Sequence, residues 1–146
     1  MRFWDSSALM PLLVPEPTTA DLMALMRSDP AAAVWWATPI ECASAIARLA
    51  RDERLSRDDT AMATGLLEAA QPGWSVIPPT DRVRQQAMRL LRLHPLRAAD
   101  ALQLAAALVL AEHDPRTLPF VTLDDRLALA AEREGFAVMG ADLSTG

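Results

Sequence analysis

Short apolar runs alternate with longer helix-forming stretches along the whole chain, and this alternation limits the fold more than any other feature. Strands separated by helices return over the sheet rather than pairing as hairpins. That gives parallel pairing and an α/β layered fold. Residues 2–5, 33–36, 74–77 and 118–121 read as four strands, with 136–139 as a candidate fifth. Helices are expected over 6–13, 18–27, 38–51, 56–70, 80–93, 97–112 and 124–134. Pro15 and Pro17 stop the first, and Gly135 stops the last. Thr38 reads as the N-cap of the third, with Pro39 in its first turn and Glu41 three residues after the cap. Ser56 caps the fourth. The helix over 97–112 is apolar nearly all round and is expected to be buried. The tail after Gly140 reads as loose.

The 146 residues amount to a single domain, 1–146, and 51% hydrophobic residues suffice for a core. No apolar run reaches the length of a bilayer span, and Asp5 interrupts the opening where a signal peptide would stay apolar. A soluble, cytoplasmic protein is expected. Cys42 is the single cysteine, which excludes an internal disulfide and a Cys-rich zinc site. His94 and His113 are too few and too isolated for a histidine metal cage. All fourteen basic residues are arginine. A P-loop lysine and a Schiff-base lysine are therefore absent, while arginine still offers a bidentate grip on phosphate. The net charge of −5 argues against broad electrostatic binding to nucleic acid. A metal-binding acidic cluster would itself supply such charge until its ion arrived.

Four acids occupy distinctive places. Asp5 and Asp124 follow strand-like runs, and Glu41 and Asp100 fall in the first turns of helices. In open parallel sheets ligands bind at the carboxyl ends of the strands, which is where such positions point. A cluster with oxygen donors alone suits Mg²⁺ or Mn²⁺. Each acid also has a local structural explanation. Glu41 could complete a capping box with Thr38, Asp100 could answer the helix dipole, and Asp5 and Asp124 could cap the helices they precede. Capping could use Ser, Thr or Asn equally well, so four carboxylates together point to more than caps. Ser7 and Thr122 are expected as caps that also support the acids. Arg48, Arg51, Arg54 and Arg57 read as a solvated face paired with Asp52, Glu53 and Asp58. Arg97, one turn before Asp100, could pair with it or reach a phosphate. Trp35, Trp36 and Trp74 read as core or interface residues rather than base-stacking platforms.

Four segments carry a family resemblance: Asp5-Ser6-Ser7-Ala8-Leu9, Thr38-Pro39-Ile40-Glu41-Cys42-Ala43-Ser44-Ala45, Leu96-Arg97-Ala98-Ala99-Asp100-Ala101-Leu102-Gln103-Leu104-Ala105, and Phe120-Val121-Thr122-Leu123-Asp124-Asp125-Arg126-Leu127. In order and spacing they resemble the PIN-domain ribonucleases, specifically the VapC-type toxins of toxin–antitoxin pairs, over nearly the whole chain. Asp124, rather than its neighbour Asp125, matches the family position. The resemblance implies a PIN-like three-layer α/β/α sandwich with a four- to five-stranded parallel sheet. It implies an acidic pocket formed by Asp5, Glu41, Asp100 and Asp124, holding one or two Mg²⁺ or Mn²⁺ ions and cleaving single-stranded or looped RNA. It also implies a homodimer inhibited by a cognate VapB-type antitoxin. The antitoxin is expected to lie in a groove between the helices over 6–27 and 38–51 and to reach the acids with a basic side chain.

An aspartyl phosphatase would want a second acid two residues after Asp5, where Ser7 stands, and a lysine. A signalling receiver would also want the lysine. The remaining alternative is a catalytically inactive PIN-like interaction module.

Overall fold

Every expected strand joins one sheet, and every pairing in it is parallel. The computed structural model describes residues 1–112 and 114–145, so His113 lies outside the described residues. The strands are β1 (Arg2–Trp4), β2 (Ala32–Trp35), β3 (Ser75–Ile77), β4 (Phe120–Val121) and β5 (Val138–Met139), in the order β3-β2-β1-β4-β5. The helices are α1 (Ser6–Leu13), α2 (Thr19–Ser28), α3 (Thr38–Arg51), α4 (Arg57–Ala70), α5 (Asp81–Leu93), α6 (Ala98–Ala111) and α7 (Asp125–Arg133).

The strands feed two separate cores because successive side chains point to opposite faces. Phe3, Ala33, Trp35, Ile77 and Phe120 face one core with residues of α5, α6 and α7. Trp4, Ala32, Val34 and Val121 face the other with residues of α1, α2, α3 and α4. The result is a three-layer α/β/α sandwich, the form the family resemblance implies, with the parallel sheet that the alternation predicts. A sheet covered on both faces explains why the inner strands β2 and β4 are apolar throughout. Phe3 stacks on Phe120 with ring centroids 5.1 Å apart. Such a pair contributes about 1 kcal/mol beyond its burial and helps fix the β1–β4 register. Alanines 101, 105, 106 and 107 of α6 are fully buried, and their small size lets this helix lie close to its neighbours.

The strand order reverses at β1: β2 and β3 lie on one side, β4 and β5 on the other. The carboxyl ends of β1 and β4 therefore flank the topological switch point, the usual place for a ligand crevice in such sheets.

Three local expectations fail. Thr38 is not the cap of α3: Ala37 holds that place, without a side-chain cap. Trp36 falls just outside β2 and is 52% exposed. The tail is not loose, since Ala141–Thr145 form a 3-10 turn whose Leu143 packs on the Trp4 core. Among the described residues no helix is long and apolar enough to cross a membrane.

Candidate active site

Asp5 is placed by the β1–β4 pairing, which its own N–H extends by bonding to the Val121 carbonyl at 3.1 Å. Its side chain caps α1 by accepting from the backbone N–H of Ser7. Its other oxygen accepts from the hydroxyls of Ser7, at 3.1 Å, and Thr122. Ser7 Oγ also accepts from the Leu123 N–H at 2.9 Å, and Thr122 Oγ1 from the Asp124 N–H at 3.1 Å. Two hydroxyls thus tie the first and last acidic segments together across the sheet. Asp5 is only 2% exposed. Burial drives its pKa up from 3.8 to about 6, despite the hydrogen bonds that oppose the shift, and the nearby Asp124 charge adds to the rise.

Glu41 projects from the first turn of α3. Its carboxylate accepts from Ser6 Oγ at 3.1 Å and from Gln103 Nε2 at 3.0 Å. The same Gln103 nitrogen donates to the buried Thr38 hydroxyl at 3.1 Å. The capping box between Thr38 and Glu41 is therefore not formed: both side chains turn towards α6 instead. A cap contributes about 1 kcal/mol, and the buried polar contact with Gln103 outweighs it. Burial raises the Glu41 pKa, and the charges of Asp5 and Asp100 push the same way.

Asp100 lies in the first turn of α6, one turn after Arg97. Burial and Asp124 raise its pKa, while the Arg97 and Arg126 guanidinium groups pull it down. Asp124 caps α7 through Oδ1, which accepts from the Leu127 N–H at 3.0 Å. Capping and placement at the site are compatible here, because the second oxygen makes no bond within the described chain.

All four acids line one cavity of about 490 Å³, together with Ser6, Ser7, Gln103 and Arg48. Their mutual repulsions form a closed ring: Asp5 with Asp124, Asp124 with Asp100, Asp100 with Glu41, and Glu41 with Asp5. A donor set with oxygens alone, under that repulsion, fits a hard divalent cation. The carboxylates stand around the wall rather than meeting at a point. Among the described residues no three Asp, Glu, His or Cys side chains are gathered closely enough to hold a metal as they lie.

The sequence matches the family described as PIN domain over residues 2–133. The chain belongs to the PIN-domain family. Among solved structures, PAE2754 from Pyrobaculum aerophilum is similar with a TM-score of 0.63 and 24% identity, covering 99% of this chain and 93% of that one. That likeness bears on the fold alone. No curated protein matches the chain. PIN domains are generally nucleases, generally use divalent metals, bind RNA and often pair with antitoxins.

In this PIN domain, residue-by-residue reading misses Gln103 as part of the site. It is 1% exposed, yet its Oε1 has no hydrogen-bond partner. The available signal was a lone polar residue three positions after Asp100, on an otherwise apolar helix. The role of Ser6 as a donor to Glu41 was missed too. The arginine run behaves differently from expectation. The described ion pairs lie elsewhere, at Arg84, Arg89 and Arg116 among the arginines, and Arg48 borders the acidic cavity instead of pairing with Asp52.

Proposed function

We propose that this chain is a Mg²⁺- or Mn²⁺-dependent endoribonuclease, the toxin of a VapBC-type toxin–antitoxin pair, acting as a homodimer. The observation that carries the reading is that all four carboxylates line one cavity at the switch point of the sheet. Asp5, Glu41, Asp100 and Asp124 are assigned as the metal-holding and catalytic residues. A divalent cation bound there supplies positive charge at the scissile phosphate and makes an attacking water more acidic.

The chain's own part is to place the acids and handle the proton. Ser7 and Thr122 hold Asp5 in one orientation. Ser6 and Gln103 grip both oxygens of Glu41, whose raised pKa suits a group that takes a proton from the attacking water. Asp124, which caps α7 through Oδ1, and Asp100 in the first turn of α6 would complete the set of oxygen donors for the cation.

For the partner, an apolar hollow of about 260 Å³ offers a seat for an antitoxin segment. Leu9, Leu12 and Leu13 of α1 line it with Met26 and Trp74. It lies against α1, α2 and the end of α4, rather than between the first helices and α3.

The catalytically inactive interaction module is the rival reading, and the separation of the four carboxylates in this arrangement favours it. An RNA cleavage assay decides between the two. Purified protein is expected to cut RNA with Mg²⁺ or Mn²⁺ and to stop in EDTA. Asp5→Asn and Asp100→Asn should each lower the rate by more than about 100-fold while the circular dichroism spectrum is kept. Cleavage that continues in EDTA, or survives both substitutions, would overturn the assignment.

A further inference from the structure

We propose that a second depression, beside the acidic cavity, holds a backbone phosphate of the RNA strand next to the one that is cleaved, with Arg97 and Arg126 as its grips. This rests on the ribonuclease reading above. The depression has a volume of about 580 Å³ and is walled by Pro95, Ala99, Arg97 and Arg126 together with the acids Asp100, Asp124 and Asp125. Asp100 and Asp124 also line the acidic cavity, so the two hollows meet along the Asp100–Asp124 ridge. A strand crossing that ridge places one phosphate over the acids and its neighbour between the two arginines.

Both arginines are set on rigid supports. Arg97 occupies the N-cap of α6 in an extended conformation, and Arg126 is the second residue of α7. Both side chains are exposed, and both act electrostatically on Asp100. Neither forms an ion pair with it. Two guanidinium groups lining one hollow suit a bidentate grip on phosphate oxygens. Arg48 stands at the acidic cavity itself. A strand would therefore meet positive charge on either side of the acids, which explains how an acidic protein could hold RNA without a broad basic face.

Binding is measured by fluorescence anisotropy of a labelled single-stranded RNA oligomer with Mg²⁺, on the Asp5→Asn background so that the RNA is not consumed. Arg97→Ala/Arg126→Ala is compared with Arg92→Ala/Arg133→Ala, which removes the same charge at the far ends of α5 and α7. The site variant is expected to bind about 10- to 100-fold more weakly, and its salt slope to fall by roughly 0.7 to 1.4, one or two phosphate contacts. The control should keep the affinity and slope of its parent. With Asp5 intact, the Mg²⁺-induced rise in Tm should survive the Arg97→Ala/Arg126→Ala change. Equal affinity and slope in site variant and control would overturn the subsite alone. Failure of the parent to bind RNA at any salt would sink the ribonuclease reading with it. Inorganic phosphate bound more tightly than the RNA would assign the hollow to a free anion and overturn the RNA assignment.

Discussion

Asp5 accepts three hydrogen bonds and still resists ionisation, because it is almost completely buried. Its folded pKa of about 6 lies above the ordinary 3.8, so the folded protein holds this proton more tightly than the unfolded chain. That preference stabilises the fold fully below the unfolded pKa and is lost as the pH rises through about 6. The difference amounts to roughly 3 kcal/mol. Asp5→Asn cannot ionise, so without divalent cation it should melt higher than the wild type at pH 7.5, with the gap closing as the pH falls towards 4. Melting curves across that range check this, and a gap independent of pH would refute it. Gln103 makes the complementary case. Gln103→Leu removes the donor to Glu41 but also removes the unpartnered buried Oε1, an atom whose burial costs about 1–3 kcal/mol. That relief offsets the partner lost by Thr38, so Tm should move by less than about 4 °C. Cleavage and Mg²⁺ affinity should nonetheless fall about 10- to 100-fold, as for other residues that orient a metal ligand. Calorimetric titration with Mg²⁺ beside the RNA assay separates the two effects, and unchanged affinity would count against the positioning role.

At the scale of elements, the turn after β5 reaches into the site through one backbone contact. Gly140 has φ +95°, and a Cβ there would come within 3.0 Å of the Thr122 carbonyl oxygen. Gly140→Ala should therefore cost about 1–3 kcal/mol and displace Thr122, whose hydroxyl holds Asp5. The expected outcome is a fall in Tm of several degrees, together with a loss of cleavage at temperatures where the variant is still folded. Intact activity there would show that the Thr122 anchor tolerates the shift. No sequence pattern points to this coupling, whereas the strands and helices themselves were legible, because burial on two faces leaves apolar runs and burial on one leaves helical spacing. The four acids were legible for a similar reason, since strand ends and helix starts mark one edge of a parallel sheet. What spacing cannot report is which buried polar group finds which partner. Thr38 has the sequence of a cap and Glu41 that of its capping-box partner, yet Gln103, more than sixty residues away, captures both. Trp36 fails for a related reason: an apolar residue next to a strand is read as its continuation, and only the end of the β2–β3 ladder leaves it exposed.

For the whole molecule, the net charge of −5 is partly a property of the site, since four of its nineteen acids surround one cavity. Burial raises the pKa values of three of those four, and the charges of neighbouring acids raise them further, a repulsion that a positive charge placed among them relieves. A divalent cation is one source, and a basic side chain from another protein is a second. A ribonuclease that acts on cellular RNA must be blocked while it is stored, and a partner with an apolar segment for the α1 hollow and an arginine or lysine for the acids would do both. The chain expressed alone is therefore expected to arrest growth, and co-expression of a small gene adjacent to its own to relieve the arrest. Asp5→Asn removes the most deeply buried of the four carboxylates and should be harmless in cells. Its affinity for the partner should also fall, because the partner's basic group loses part of its charge complement, and pull-down with the purified partner measures this. Growth unaffected by the wild-type chain, with Asp5→Asn behaving identically in cells and on RNA, would remove the toxin reading and leave the inactive interaction module.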